Sequence, residues 1–135
     1  DPLTAGPEIA RILVPGGRLG LVWNTRDRSQ PFVAAVADAI GASPAEDMVD
    51  ADEVLDLPGF TSWQRRQWQR VRWMSAAEVV AMATSRSAYL IASPADQQAV
   101  VGELTELLAT HPHSRGRERF EYALNVTAYR CDRLH

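Results

Sequence analysis

The chain has no lysine; all fourteen of its basic residues are arginine. We read that bias as the mark of a GC-rich coding sequence rather than of selected guanidinium chemistry. Seventeen acidic residues leave a net charge of −3, which removes any bulk electrostatic case for nucleic acid or an anionic membrane. The single Cys131 excludes an internal disulfide and fits a reducing compartment. No apolar run approaches the roughly 20 residues of a membrane span, and no secretory signal is visible. The expectation is a cytoplasmic protein with no membrane partner. A G-x-S-x-G turn is also missing, so Ser-His-Asp hydrolysis lacks its nucleophile elbow. His111-Pro112-His113 forms an H-x-H pair, but no Cys or second His pair lies near it in sequence to complete a tetrahedral set. No metal site is expected.

What is present is an ordinary apolar fraction of 46% and a charged fraction of 23% over 135 residues, enough for a single domain, 1–135, with a real core. The densest pattern lies near the start. Ile9, Ile12 and Leu13 recur at i, i+3 and i+4, one face of a helix. Pro15 ends that helix, and Gly16 or Gly17 can take the left-handed cap position. Leu19 to Trp23 then runs without polar alternation, which suits a strand covered on both faces, as in a parallel sheet. A helix feeding such a strand is half of an α/β crossover unit. The strand that should come before the helix is absent, so the expected fold is an α/β domain that begins in its middle.

Glu8, Arg11, Leu13, Pro15, Gly16, Gly17 and Leu19 match the pattern E-x-x-R-x-L-x-P-G-G-x-L position by position. This segment resembles the helix leading into the fifth sheet strand of class I S-adenosylmethionine-dependent methyltransferases. Trp23-Asn24 and the later Thr84-Ser85-Arg86-Ser87-Ala88-Tyr89 look like a bacterial branch acting on small molecules. The resemblance implies the C-terminal part of a Rossmann-like sheet: one parallel-type strand, an antiparallel pair, and helical insertions at 25–58 and 75–112 forming a substrate lid. It also implies that the last strand inserts beside strand 18–24, with the segment around 63–73 at the outer edge. The family's glycine-rich E/D-x-G-x-G-x-G loop is absent from this chain. The resemblance therefore implies S-adenosylmethionine in the intact parent, none held by this chain alone, and no activity of the chain by itself.

Further along, Pro31 opens a helix with a stripe at Phe32, Val33, Val36, Ala37 and Ile40, closed by Gly41. Ser43-Pro44-Ala45-Glu46 is a capping box, followed by six carboxylates over 46–56. Trp63 to Met74 reads as extended with imperfect alternation. Ser75-x-x-Glu78 and Ser93-Pro94-Ala95-Asp96 each signal a helix start, and the second helix carries Val100, Val101, Leu104, Leu107 and Leu108 up to a stop at His111-Pro112. Phe120, Tyr122, Leu124, Val126 and Ala128 alternate with polar residues, the cleanest strand pattern in the chain.

Four residues are candidates for substrate contact, and no catalytic residue declares itself. Trp23 and Asn24 end an α/β strand, where ligands of open sheets gather, so the indole can stack on a substrate and the amide can bond it. Equally, Trp23 can cap the core and Asn24 make a turn. Arg86 can clamp a carboxylate or phosphate and Tyr89 can wall the pocket, or Arg86 offsets a helix dipole and Tyr89 packs. Arg26 and Asp27 read as solvated. Between Trp63 and Trp73, aromatics interleave with Arg65, Arg66, Arg70 and Arg72, which would suit a single-strand nucleic-acid binder. The acidic net charge and the carboxylates of 46–56 argue for an amphipathic edge strand instead. The leading expectation is the substrate side of a small-molecule methyltransferase. The rival is a non-catalytic module that associates through the exposed edge of strand 18–24, with a homo-oligomer as the outcome.

Overall fold

The computed structural model describes residues 2–41 and 57–135. The capping box at Ser43 and the acidic run of 46–56 lie outside the described residues. Element order is α1 (Pro2–Ile12), β1 (Arg18–Arg26), α2 (Pro31–Ile40), β2 (Gln64–Met74), α3 (Ala76–Thr84), α4 (Ser87–Leu90), α5 (Pro94–Thr110) and β3 (Phe120–Asp132). Among the described residues these form one mixed α/β arrangement of five helices and a three-stranded sheet in the order β1-β3-β2.

Both pairings of the sheet are antiparallel. Arg133 exchanges backbone bonds with Gly16 and Gly17, while Asp27 donates to the carbonyl of Ala123, so β1 and β3 run in opposite senses. Phe60 bridges Arg133, Gln64 meets Arg130, Gln67 meets Thr127, and Arg119 donates to the Trp73 carbonyl, which gives β2 the same relation to β3. The last strand thus lies between the other two, with 64–74 at one edge, as expected. The expected parallel-type strand is not seen. β1 finds only an antiparallel neighbour among the described residues, and its apolar run does not mean burial on both faces: Leu19, Leu21 and Trp23 are half-buried, while Val22 between them is 63% exposed. An apolar run suits a doubly covered strand but carries no direction, which the partner decides.

The described residues pack as two compact units: 2–25, 57–68 and 125–135 in the first, 26–41 and 69–124 in the second. In the first, α1 ends where Pro15-Gly16-Gly17 turns the chain. Gly16 takes the left-handed conformation at φ 74°, and a Cβ on Gly17 would meet the Val14 carbonyl oxygen at 2.8 Å, so glycine is required at both. Ile9, Ala10, Leu13 and Leu19 pack against buried Leu57, Phe60 and Cys131. Ile12 was expected on that face but is 65% exposed. Arg18 grips Asp132 through two bonds of 2.7 and 3.1 Å and holds its carboxyl below the ordinary carboxylate range. Burial pushes the Cys131 thiol up, which keeps it protonated and unreactive.

In the second unit, α2 and α3 pack on α5, and α4 follows α3. Phe32, Val33, Val36, Val79, Ala83, Leu104 and Leu108 interlock with Phe120, Tyr122 and Leu124 of β3. The start signals hold as read. The Ser75 hydroxyl accepts from the Glu78 amide and the Glu78 carboxylate accepts from the Ser75 amide at 2.7 Å, and Ser93 caps α5 through Asp96. Along β3 the buried residues are Phe120, Tyr122, Leu124 and Val126, then Thr127, Tyr129 and Cys131. The alternation therefore changes phase after Val126, and Ala128, read as inward, is only half-buried.

Two stability outcomes follow from these packings. Leu104, fully buried in the second unit, should cost about 2–5 kcal/mol when cut to Ala, read as a lower midpoint in denaturant unfolding. The bond from the Ser75 amide is the chief cause that holds the Glu78 carboxyl below the usual carboxylate range. A carboxyl lowered on folding stabilises above its unfolded pKa and loses that contribution as pH falls through its folded value. Below about pH 4.5, wild-type thermal stability should therefore fall more steeply than that of Glu78→Gln, and parallel curves would contradict this.

Candidate functional site

β1 ends at Arg26, and the chain turns through Asp27-Arg28-Ser29-Gln30 into α2. Asp27 continues the β1–β3 ladder with its amide, donating to Ala123 at 3.1 Å. Its Oδ1 accepts from the Ser29 hydroxyl at 2.6 Å and the Ser29 amide at 3.1 Å, the side-chain turn that Asp favours. Oδ2 accepts from Nε2 of Gln69 on β2 at 3.1 Å. Expected in solvent, Arg26 and Asp27 are instead 7% and 4% exposed. The carboxylate can be buried because both of its oxygens are bonded.

Asp27 lies in the wall of a hollow of about 560 Å³, within the size range of small-molecule sites. Pro31, Phe32 and Val33 at the start of α2, Gln69, Arg70 and Val71 of β2, and Glu121 and Ala123 of β3 supply further wall. His111, Pro112 and His113, just past α5, and Arg117 close it. The hollow thus begins at Asp27, the residue after β1, and is lined wholly by residues of the second unit.

Its two imidazoles have their tautomers set by backbone groups. The His113 amide donates to Nδ1 of His111 at 3.1 Å, so the proton of a neutral His111 ring sits on Nε2. Nε2 of His113 lies 2.8 Å from the Glu121 carbonyl oxygen, which can only accept. His113 therefore donates there, and its Nδ1 keeps a lone pair in the neutral ring. Phe32 orients both rings, with centroids 5.0 Å from His111 and 4.8 Å from His113, and is itself held edge-on by Phe120.

The four substrate candidates fall in two places. Trp23 is half-buried and meets Tyr129 edge-on at 5.7 Å in the first unit, a packing contact, and Asn24 is exposed. Arg86 and Tyr89, both half-buried, come together in the second unit on a small hollow of about 120 Å³ with Ile40 and Val100. Gln97 fixes the backbone there, donating to the carbonyls of Tyr89 and Ala92. The Trp63–Trp73 segment is exposed along most of its length, with Trp68 45% and Trp73 58% exposed. Arg65 sits over the Tyr129 ring at 6.0 Å, and Arg130 donates to Gln64 at 2.8 Å. Among the described residues no group of three or more His, Cys, Asp or Glu could hold a metal ion. No described helix is long and apolar enough to cross a membrane.

Sequence reading missed Asp27, Gln69, His111 and His113 as one constellation. The Asp-x-Ser spacing was a usable signal for the turn. Nothing local links Asp27 to Gln69, and the H-x-H pair invites a metal reading rather than a donor–acceptor one. As for S-adenosylmethionine, the described residues around this hollow do not form its usual cradle. Among the described residues the turns from strand to helix are Asp27–Gln30 and Ser75, and neither contains a glycine that would let backbone amides close on a ligand.

Three comparisons bear on identity. An uncharacterized methyltransferase of Mycobacterium tuberculosis is 41% identical over 115 residues, or 83% of this chain and 45% of that protein. An uncharacterized methyltransferase of Mycobacterium bovis matches to the same extent. One from Schizosaccharomyces pombe is 24% identical over 130 residues, 94% of this chain and 52% of that protein. No protein-family model matches. The chain spans about half the length of the curated relatives it matches. It is homologous to these uncharacterized methyltransferases and corresponds to one part of such a protein.

Proposed function

We propose that this chain is the acceptor side of a methyltransferase that uses S-adenosylmethionine and acts on a small molecule. Its β1-β3-β2 sheet and the helices α2 to α5 build the acceptor pocket and its cover, and the cofactor loop lies in other residues of the parent. The observation that carries this reading is the 560 Å³ hollow that begins at Asp27 in a chain homologous to methyltransferases. S-adenosylmethionine, when bound by the parent, supplies the methyl group. The residues of this chain position the acceptor: Asp27 holds the β1–α2 turn against β2, and Phe32 fixes the imidazoles. Arg86 and Tyr89 belong to the cover, and Trp23 and Asn24 are further substrate contacts in the parent. A cytoplasmic location fits a small-molecule acceptor.

Self-association is a second reading, favoured by the 63% exposure of Val22 on a strand with one sheet neighbour among the described residues. Such an edge is a template for another chain. Sedimentation over a wide concentration range should then show a dimer that Leu21→Lys weakens, and a compact monomer throughout would end this reading.

The methyltransferase reading is tested by titration calorimetry. S-adenosylmethionine added to the 135-residue chain should give no saturable heat, because the sequence carries no glycine-rich E/D-x-G-x-G-x-G loop. Micromolar binding would overturn the assignment of the chain to the acceptor side. In the intact parent, Asp27→Asn should lower methyl transfer by about tenfold or more while leaving cofactor affinity unchanged, since the turn that it locks shapes only the acceptor hollow.

A further inference from the structure

We propose that the open sheet face of the first unit binds a phosphate dianion, held over Ala128 between Arg66 and Arg130. The site shares no residue with the hollow assigned to the acceptor, and every residue that builds it belongs to the first unit. Register brings the two arginines together. Gln64 meets Arg130 and Gln67 meets Thr127, so Arg66 stands opposite Ala128 and diagonal to Arg130. Diagonal neighbours on one face of a strand pair lie about 7–8 Å apart, within reach of long side chains. On the other side of β3, Arg18 bonds Asp132, which sets Gly20 beside Arg130 and Val22 beside Ala128. Gly20 and Ala128 keep the floor low. A Cβ on Gly20 would meet nothing within 4 Å and Val22 is 63% exposed, so no described residue covers this face there.

The result is a hollow of about 400 Å³, with Gln64 and Trp68 as further wall and no carboxylate in its lining. Nε of Arg130 donates to Oε1 of Gln64 at 2.8 Å, which turns the amide oxygen towards a guanidinium and leaves the amide NH2 as a further donor. No carboxylate among the described residues pairs with Arg66 or Arg130. Among the described residues the one carboxylate on this face is Asp132, and Arg18 takes both of its oxygens, at 2.7 and 3.1 Å. Three guanidiniums against one carboxylate leave two positive charges on neighbouring positions, where like charges repel. A phosphate dianion cancels both, and its oxygens accept from the paired donors of an arginine fork. A monoanion leaves one charge uncompensated, and a neutral molecule leaves both.

The test uses the 135-residue chain with no methyl donor present, so it stands whatever the cofactor titration shows. Inorganic phosphate, phenyl phosphate and phenyl sulfate are titrated at constant ionic strength and about pH 8, where a phosphate monoester carries two charges and the sulfate ester one. Binding is followed by NMR. Both phosphates should saturate and move the amide signals of Arg66 and Ala128 and the indole N–H of Trp68. Phenyl phosphate should bind about tenfold tighter than phenyl sulfate, the ratio expected for one further charge-assisted bond. Whichever phosphate binds tighter tells whether a monoester or the free ion is the form recognised. Arg66→Gln, on an exposed side chain, should weaken phosphate binding about tenfold with the remaining amide spectrum unchanged. Arg72→Gln removes the same charge from β2 outside the hollow and should leave binding as it was. No saturation, phenyl sulfate binding as tightly as phenyl phosphate, or an equal loss in the two variants would each overturn the proposal.

Discussion

Everything described depends on β3 lying between β1 and β2. It is the strand with two neighbours, and its register fixes theirs: Arg133 against Gly16 and Gly17, Ala123 against Asp27, Thr127 against Gln67. Buried backbone groups must be paired, and β3 finds partners on both sides. The same strand feeds the two cores, through Phe120, Tyr122 and Leu124 in one and Cys131 in the other. A shift of one residue would send each of these side chains to the opposite face, so hydrophobic patterning holds the register as firmly as the hydrogen bonds do.

From that register the candidate pocket follows. Placing Ala123 beside Asp27 sets the end of β1, and the Asp27 carboxylate then reaches Gln69 on β2. The Glu121 carbonyl, two residues earlier on β3, accepts the proton of His113 and so sets its tautomer. A strand placed for packing thereby also sets the chemistry of a wall. The homology to uncharacterized methyltransferases over about half of their length gives that wall a context.

Much of this was legible in the chain because the signals are local. Pro31 and Gly41 bracket α2 as read, and Ser75-x-x-Glu78 closes a reciprocal cap that needs only its own four residues. The resemblance over residues 8–19 placed the last strand in the middle of the sheet. What escaped depends on distant partners. The direction of β1 is decided by a strand about a hundred positions away, so its apolar run misled as to parallel pairing. Asp27 reads as solvated until Gln69, 42 positions on, is folded against it. Ile12 fits the helical period yet faces solvent, since periodicity names a face and not its extent. The phase change after Val126 is invisible to an alternation count, because Thr127 and Tyr129 become the buried set only where a second core begins.

Amide hydrogen exchange of the 135-residue chain tests the central place of β3 most directly. Strands with paired groups on both sides open only with the largest unfolding events, whereas edges exchange through smaller ones. The amides of Phe120–Asp132 should be the slowest of the three strands, with those of Gln64–Met74 clearly faster. If β2 exchanged as slowly as β3, or β1 more slowly than either, β3 would not be the strand on which the sheet and its hollow are built.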